Sequence, residues 1–161
     1  MPRPKRPEDP PRELTPADAR ASAMRILARR EHSVAQLKRK LGQRGHSTET
    51  SGEIIESLAD AGLQSDSRFA ETLARSRAGQ GYGPLRIRAE LKEARIPDAE
   101  IRAAFEALDC DFTQRAVEVR ERKFGKQPER GAESQKQYRF LASRGFESDQ
   151  IRAALKGEPD E

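Results

Sequence analysis

Internal repetition at an offset of 50 residues constrains this sequence more than any other feature. Three leucines and three residue types that favour helix starts return at that offset: Leu41, Leu91 and Leu141, and Thr48, Asp98 and Ser148. The pair Arg44-Gly45 likewise returns as Arg144-Gly145. Because these features recur together, we expect three related units in tandem, each burying one face against the next.

Each unit carries signals for three helices. Thr15 followed by Pro16 begins a first helix, and Ser33 with Gln36 three residues later forms a capping box for a second. The recurring helix-start residues are expected to cap the third helix of each unit. No segment shows the alternation of a strand. The sequence therefore predicts an all-α fold, an elongated array of three tandem three-helix repeats.

The predicted organisation is a flexible Pro/Arg-rich tail, three repeats and an acidic tail, at residues 1–14, 15–64, 65–110, 111–156 and 157–161. Five prolines among basic residues leave the first tail too little apolar surface to fold. We assign it no function, the alternative being a basic arm that grips phosphate. Ile54 falls about one turn late in the first repeat, so Ser51 and Gly52 are interpreted as part of an insertion.

Charge follows the same repetition. Residues 20–45 hold eight basic and one acidic residue, whereas residues 46–66 hold five acidic residues and neither lysine nor arginine. The alternation continues, so the first two helices of each repeat are basic and the third is acidic or neutral. One interpretation is a set of solvated helix faces that keep a sparse-core protein in solution. The other is a stepped basic track for a polyanion.

Several function classes find no support. No apolar stretch approaches the length of a membrane span or signal-peptide core, so a cytoplasmic protein is expected. Cys110 is the single cysteine, and His32 and His46 lack partners at metal-ligand spacing, so neither a disulfide framework nor a metal or cofactor site is expected. Carboxylate pairs lack an apolar pocket for acid-base catalysis. The sequence predicts a protein without enzymatic activity.

The segment Gly79-Gln80-Gly81-Tyr82-Gly83-Pro84 superficially resembles a phosphate-binding loop. It has no preceding strand and lacks the lysine and hydroxyl residue of a P-loop, so we interpret it as a helix-helix connection. The alternative is an anion site at the following helix start, with Arg86 and Arg88 nearby. Tyr82 is either an ordinary loop tyrosine or a residue that stacks on a base.

Three stretches around that loop resemble the central signature of the RecX family of bacterial recombination regulators: Ser65-Asp66-Ser67-Arg68-Phe69-Ala70, Arg75-Ser76-Arg77, and Gly81-Tyr82-Gly83-Pro84-Leu85-Arg86-Ile87-Arg88-Ala89-Glu90-Leu91. The resemblance extends over about Ala17 to Lys156. The insertion before Ile54 and Arg95 in place of the usual glycine depart from it.

This resemblance implies tandem three-helix repeats and a cytoplasmic protein that binds the RecA filament on DNA. Such a protein lies along the filament groove and limits RecA's ATP hydrolysis, strand exchange and coprotease activity in recombination, DNA repair and the SOS response. It also implies a monomer without cofactor that meets single- and double-stranded DNA through the filament or weakly alone. Candidate contact residues come from the signature and from the first basic helix pair: Arg68, Arg75, Arg77, Tyr82, Arg86 and Arg88, with Arg25, Arg29, Arg30, Lys38 and Arg39.

Two other functions stay open at this point. One is a stand-alone DNA-binding or transcriptional protein that uses a repeat as a helix-turn-helix reader, which the basic helix pairs and glycine-containing turns favour. The other is an enzyme acting on nucleic acid, for which the sequence offers neither a metal cluster nor an acid-base cluster.

Overall fold

The computed structural model describes residues 12–156, which form nine α-helices and no strand. The helices are α1 (Pro16–Arg29), α2 (Val34–Gln43), α3 (Thr48–Asp60), α4 (Asp66–Gly79), α5 (Pro84–Glu93), α6 (Asp98–Leu108), α7 (Phe112–Phe124), α8 (Ala132–Ser143) and α9 (Ser148–Lys156). The predicted all-helical class with three three-helix repeats is confirmed. Most of the predicted tail at 1–14 and all of the tail at 157–161 lie outside the described residues.

The first two helices begin where the sequence predicts. The Thr15 hydroxyl accepts a hydrogen bond from the Asp18 backbone N–H at 3.2 Å, and the Asp18 carboxylate accepts one from the Thr15 N–H at 2.9 Å. These bonds hold the pKa of Asp18 below its ordinary value. Ser33 and Gln36 form the same reciprocal capping box at the start of α2. Both boxes satisfy backbone N–H groups that a helix start leaves without a partner.

The third helix of each repeat begins one residue earlier than predicted. Ser47, not Thr48, caps α3, because the Ser47 hydroxyl accepts from the Thr50 N–H at 3.1 Å. Asp98 and Ser148 are likewise the first residues of α6 and α9 rather than their caps. The 50-residue correspondence itself holds, since the three predicted caps all occupy the first helical position.

The insertion in the first repeat extends a helix. Ser51 and Gly52 lie inside α3, which has 13 residues against 11 in α6 and 9 in α9. Ser51 is buried in that helix. The added residues are therefore accommodated as extra helix, without a loop.

Each repeat has its own thin apolar core around the leucine of its second helix. Leu41, Leu91 and Leu141 are completely buried. The first and third helices pack against one another in every repeat. In the first repeat the core consists of six buried residues, Ala23, Ile26, Leu37, Leu41, Ile55 and Leu58. Such small cores leave most side chains exposed, which suits a chain in which 36% of residues are charged.

The same turn follows that leucine in all three repeats. The backbone N–H five residues after the leucine donates to the leucine carbonyl, from His46 at 3.1 Å, Ile96 at 3.1 Å and Phe146 at 3.3 Å. This is the Schellman arrangement, which needs a left-handed residue at its penultimate position. Gly45 and Gly145 supply it with φ of 92° and 94°, and Arg95 adopts φ of 61°. Arg95 therefore closes the same turn as Gly45 and Gly145.

The described helices fall into two compact units, Met1–Gln64 with the first repeat and Ser65–Glu161 with the second and third. Within the second unit the two repeats are joined through their backbones. Gly83 N–H donates to the Arg144 carbonyl at 2.8 Å, and Leu85 N–H donates to the Gly145 carbonyl at 2.9 Å. We call this contact the repeat 2–3 junction. It places the loop before α5 directly on the turn before α9.

We predict that Gly145→Ala destabilises the second unit by at least about 2 kcal/mol. The added Cβ would lie 2.7 Å from the Arg86 backbone nitrogen, at a residue whose φ is already left-handed. Gly62→Ala is the matched control, because Gly62 has φ of 75° but open space around the added atom. Its cost should be only about 1 kcal/mol of backbone strain. Equal losses for both variants in urea unfolding would show that the junction contact contributes nothing.

Candidate functional site

A cavity of about 480 Å³ in the first repeat gathers basic side chains from α1, the α1–α2 turn and α2. Its lining residues are Arg25, Ile26, Arg29, Arg30, His32, Lys40 and Arg44. We call it the repeat 1 cavity. Five of the seven residues are cations, and no carboxylate of residues 12–156 is among them. The cavity therefore presents a concentrated positive charge within a single repeat.

A buried histidine fixes the central cation of this cavity. His32 is 1% exposed, its Nδ1 lies 2.9 Å from the Arg30 carbonyl oxygen, and its Nε2 lies 3.0 Å from Lys40 Nζ. The carbonyl is an acceptor and the ammonium a donor, so the ring donates through Nδ1 and accepts through Nε2. A neutral imidazole is the form that does both.

The electrostatics agree with that assignment. Burial is the largest cause that lowers the pKa of His32, and the charges of Arg30 and Lys40 add to it. Burial also lowers the pKa of Lys40, followed by the charges of neighbouring arginines, Arg30 first. The cations of the cavity thus interact unfavourably with one another, as expected for like charges held close together.

We predict that acidification destabilises the first unit through His32. Burial lowers the pKa of His32 in the folded protein below its ordinary value of 6.5. Near that pH, the imidazole therefore binds a proton more readily in the unfolded chain than in the folded one. Stability from this group is therefore present above about pH 6.5 and declines as the pH falls below it. His32→Gln should flatten the dependence of the unfolding midpoint on pH between 7.5 and 5.5. The control His46→Gln changes the other histidine, and a flattening of equal size there would contradict the assignment.

A second basic surface lies in a groove of about 740 Å³ between the second and third repeats. Its lining residues are Gly79, Gln80, Gly81, Arg115, Glu118, Val119, Glu121, Arg122, Lys123, Phe140 and Arg144. We call it the junction groove. Two carboxylates accompany its four cations, and Arg115 donates to Glu118 at 2.9 Å and to the Ala78 carbonyl. Its positive charge is therefore partly balanced internally.

Tyr82 lies at the repeat 2–3 junction. The guanidinium of Arg86 lies over its ring at 4.0 Å from the centroid, and that of Arg144 at 4.6 Å. Arg144 also lies 5.6 Å from the centre of the Phe140 ring. The interpretation of Gly79 to Pro84 as a helix-helix connection is confirmed, because α4 ends at Gly79 and α5 begins at Pro84. The Arg144–Tyr82 cation–π contact thus reinforces the backbone contact between the two repeats.

The remaining candidate residues of the second repeat differ in their surroundings and in their exposure. Arg77 Nε donates to both carboxylate oxygens of Glu90 at 3.1 and 3.0 Å, and Arg86 lies 3.9 Å from the same carboxylate. Arg88 lies over the Phe105 ring at 5.0 Å. Two further candidates, Arg68 and Arg75, are exposed on α4, and Lys38 and Arg39 are exposed on α2.

The structure therefore brings together Arg25, Arg29 and Arg30 in the repeat 1 cavity, and Tyr82 and Arg86 at the junction. Sequence reasoning did not select six cations that line these two surfaces: Lys40, Arg44, Arg115, Arg122, Lys123 and Arg144. A signal existed for two of them, since Arg44 and Arg144 occupy equivalent positions before the turn glycines.

We predict that Arg77→Ala lowers the stability of the fold, whereas Arg75→Ala leaves it unchanged. Removing Arg77 leaves the half-buried Glu90 carboxylate without its closest partner, so the thermal unfolding midpoint should fall by a few degrees. Arg75 is exposed on the same helix, and its removal should leave that midpoint unchanged. Both lose one positive charge. Equal midpoints in calorimetry would mean that the Arg77–Glu90 pair does not stabilise the fold.

Residues 12–156 lack both a membrane-spanning helix and a cluster of metal-ligand side chains. No helix there is both long and apolar enough to cross a membrane. No group of three histidine, cysteine or acidic residues in that part of the chain is arranged to hold a metal ion.

The fold defines a tandem three-helix-repeat protein that carries two basic surfaces. Three family models match the repeats in order: RecX, first three-helix domain, at residues 19–58; RecX, second three-helix domain, at residues 65–104; and RecX, third three-helix domain, at residues 109–155. The chain belongs to the RecX family.

Similar proteins support this membership. A protein named Regulatory protein RecX from Stenotrophomonas maltophilia (strain K279a) is 41% identical over 152 residues, which cover 94% of this chain and 91% of that protein. Another of the same name from Pseudomonas putida (strain GB-1) is 43% identical over 144 residues, which cover 89% and 92%. The crystal structure of RecX from Lactobacillus salivarius shares the fold, with a TM-score of 0.74 at 20% identity over 88% of this chain and 94% of that one.

Proposed function

We propose that this protein binds the RecA–DNA filament and mainly inhibits RecA's ATPase, strand exchange and coprotease activity in recombination and DNA repair. The observation that carries the proposal is the ordered match of all three repeats to the three RecX domains. Relatives at 41–43% identity are named regulatory proteins, and that name implies regulation of RecA. The family is not known as an enzyme family.

The basic surfaces suggest how such regulation works without chemistry. Each unit carries its own basic cavity or groove, so one molecule offers several contacts to a polyanionic partner. Linked weak contacts raise the overall affinity because the second binding event becomes intramolecular. Phosphate neutralisation makes such binding strongly salt-dependent. We propose that the protein acts as a cytoplasmic monomer that restrains neighbouring filament subunits by binding across them.

The candidate contact residues take different parts in this proposal. Contact with RecA or DNA is assigned to the cavity arginines, to exposed basic residues and to the half-buried Arg88, namely Arg25, Arg29, Arg30, Lys38, Arg39, Arg68, Arg75 and Arg88. Arg77, Tyr82 and Arg86 hold internal contacts. Their contribution to binding would come mainly through the shape of the repeat 2–3 junction.

We predict that substoichiometric amounts of this protein lower single-stranded-DNA-dependent ATP hydrolysis by RecA. Inhibition should weaken steeply as salt is raised, because phosphate contacts contribute much of the affinity. Replacing Arg25, Arg29 and Arg30 by Ala should raise the concentration needed for half-inhibition. Replacing three acidic residues of α3, Glu49, Glu53 and Glu56, by Gln is the control on the same repeat.

Unchanged hydrolysis at equimolar protein would contradict the proposal. A footprint on one defined duplex sequence, together with unchanged hydrolysis, would instead favour a stand-alone helix-turn-helix reader.

A further inference from the structure

The repeat 1 cavity differs from several other basic positions in what surrounds its cations. Three arginines elsewhere each have a carboxylate within reach: Arg77 has Glu90, Arg115 has Glu118 and Arg152 has Asp149. The repeat 1 cavity has five cations and a neutral histidine along its described lining, with an isoleucine as the remaining residue. Within the described part of the chain, Arg25 donates to the Ser22 hydroxyl and Arg30 donates to the Glu31 carbonyl, both uncharged acceptors.

We propose that the repeat 1 cavity is a phosphate-binding site in which Lys40, held by His32, is the central donor. The proposal rests on the proposed function, since a nucleic-acid backbone is the phosphate source that function supplies. The shared chemistry is a tetrahedral oxyanion, whether a backbone phosphodiester or a terminal or free phosphate.

The donor set favours phosphate over a carboxylate. Guanidinium groups present planar pairs of N–H donors, and an ammonium adds a compact point charge, a combination that satisfies several oxygens of one phosphate. A carboxylate offers two oxygens and a single charge. The volume of about 480 Å³ falls within the range of small-molecule sites, so the cavity has room for a phosphate with or without an attached sugar.

The histidine makes Lys40 a positioned donor rather than a mobile surface lysine. Lys40 is half-buried, and its ammonium donates one proton to His32 Nε2 at 3.0 Å, which leaves two protons for a ligand. The groups that act on the ring are the Arg30 carbonyl, the charges of Arg30 and Lys40, and the Glu31 carboxylate. Protonation of His32 would remove the acceptor of Lys40 and add one more cation to the cavity.

The test compares Lys40→Ala with Lys38→Ala in the full-length protein. Both variants remove one lysine from α2, but Lys38 is exposed and does not line the cavity. Binding to a fluorescent poly-dT oligonucleotide should weaken about tenfold for Lys40→Ala, the loss of a charge-assisted hydrogen bond, and less than about twofold for Lys38→Ala. Equal weakening of the two would show diffuse surface charge and would overturn the proposal.

A second measurement uses the unaltered protein and does not depend on the stability of a variant. The NMR signals of the His32 ring should shift on titration with inorganic phosphate and with poly-dT, whereas those of His46 should move less. A shift with inorganic phosphate alone supports the pocket and assigns it to a free or terminal phosphate. Unmoved His32 signals in both titrations would overturn the proposal.

The RecA assay keeps the two proposals distinguishable. If the unaltered protein inhibits RecA hydrolysis while Lys40→Ala and Lys38→Ala bind poly-dT equally, the phosphate pocket fails and the proposed function stands. If the unaltered protein leaves RecA hydrolysis unchanged while phosphate shifts the His32 signals, the proposed function fails and the pocket stands.

Discussion

Complete burial of one leucine in the second helix of each repeat is the constraint on which the rest of the structure depends. Leu41, Leu91 and Leu141 each lie at the centre of three helices of 9 to 14 residues. Isolated helices of that length are marginal in water, so packing around this residue is what keeps them folded. A core this small occupies few positions. The remaining positions are free to carry charge, which accounts for the mean hydropathy of -0.93.

A turn of the same form follows that leucine in each repeat. In the third repeat this turn also contacts the second repeat through backbone hydrogen bonds. All three turns close on the leucine carbonyl, and each tolerates or requires a left-handed residue. Arg95 adopts the left-handed conformation although it carries a Cβ, which costs about 1–2 kcal/mol. Gly145 has no such freedom, because the Arg86 backbone occupies the space of a Cβ. The glycine of the third repeat is therefore fixed by contact as well as by backbone angle.

The helices were predictable because their signals are local. Thr15 and Ser33 have their reciprocal partners three residues away, and Pro84 is compatible with a first helical position, so each start can be recognised within one turn of chain. The cap of α3 is predicted one residue late because Ser47 and Thr48 are both good capping types. Only the backbone angles distinguish the capping residue, which is not itself helical, from the first residue of the helix.

The organisation of charge was not predictable to the same depth, because it depends on contacts between distant residues. Sequence identifies Arg77 and Arg86 as basic, yet both lie near Glu90, and Arg86 also lies over Tyr82. The pairing follows from the packing of α4 against α5, which no local pattern encodes. In the same way, His32 and Lys40 are eight residues apart on different sides of a helix start, and their contact appears only once the turn is folded.

The basic residues of this protein are expected to contribute unequally to anion binding, because some are paired with carboxylates and others are not. A positive residue with a carboxylate partner contributes little net field beyond its own pair, because the two charges largely cancel at a distance. The cations of the repeat 1 cavity line a common space, and their mutual repulsion lowers the pKa of Lys40 after burial has already done so. An anion placed there relieves this repulsion, so it binds more favourably than it would at the same number of dispersed charges. The interaction of a basic helical repeat with a polyanion therefore depends on where carboxylates are missing, and the count of arginines is a poor guide to it.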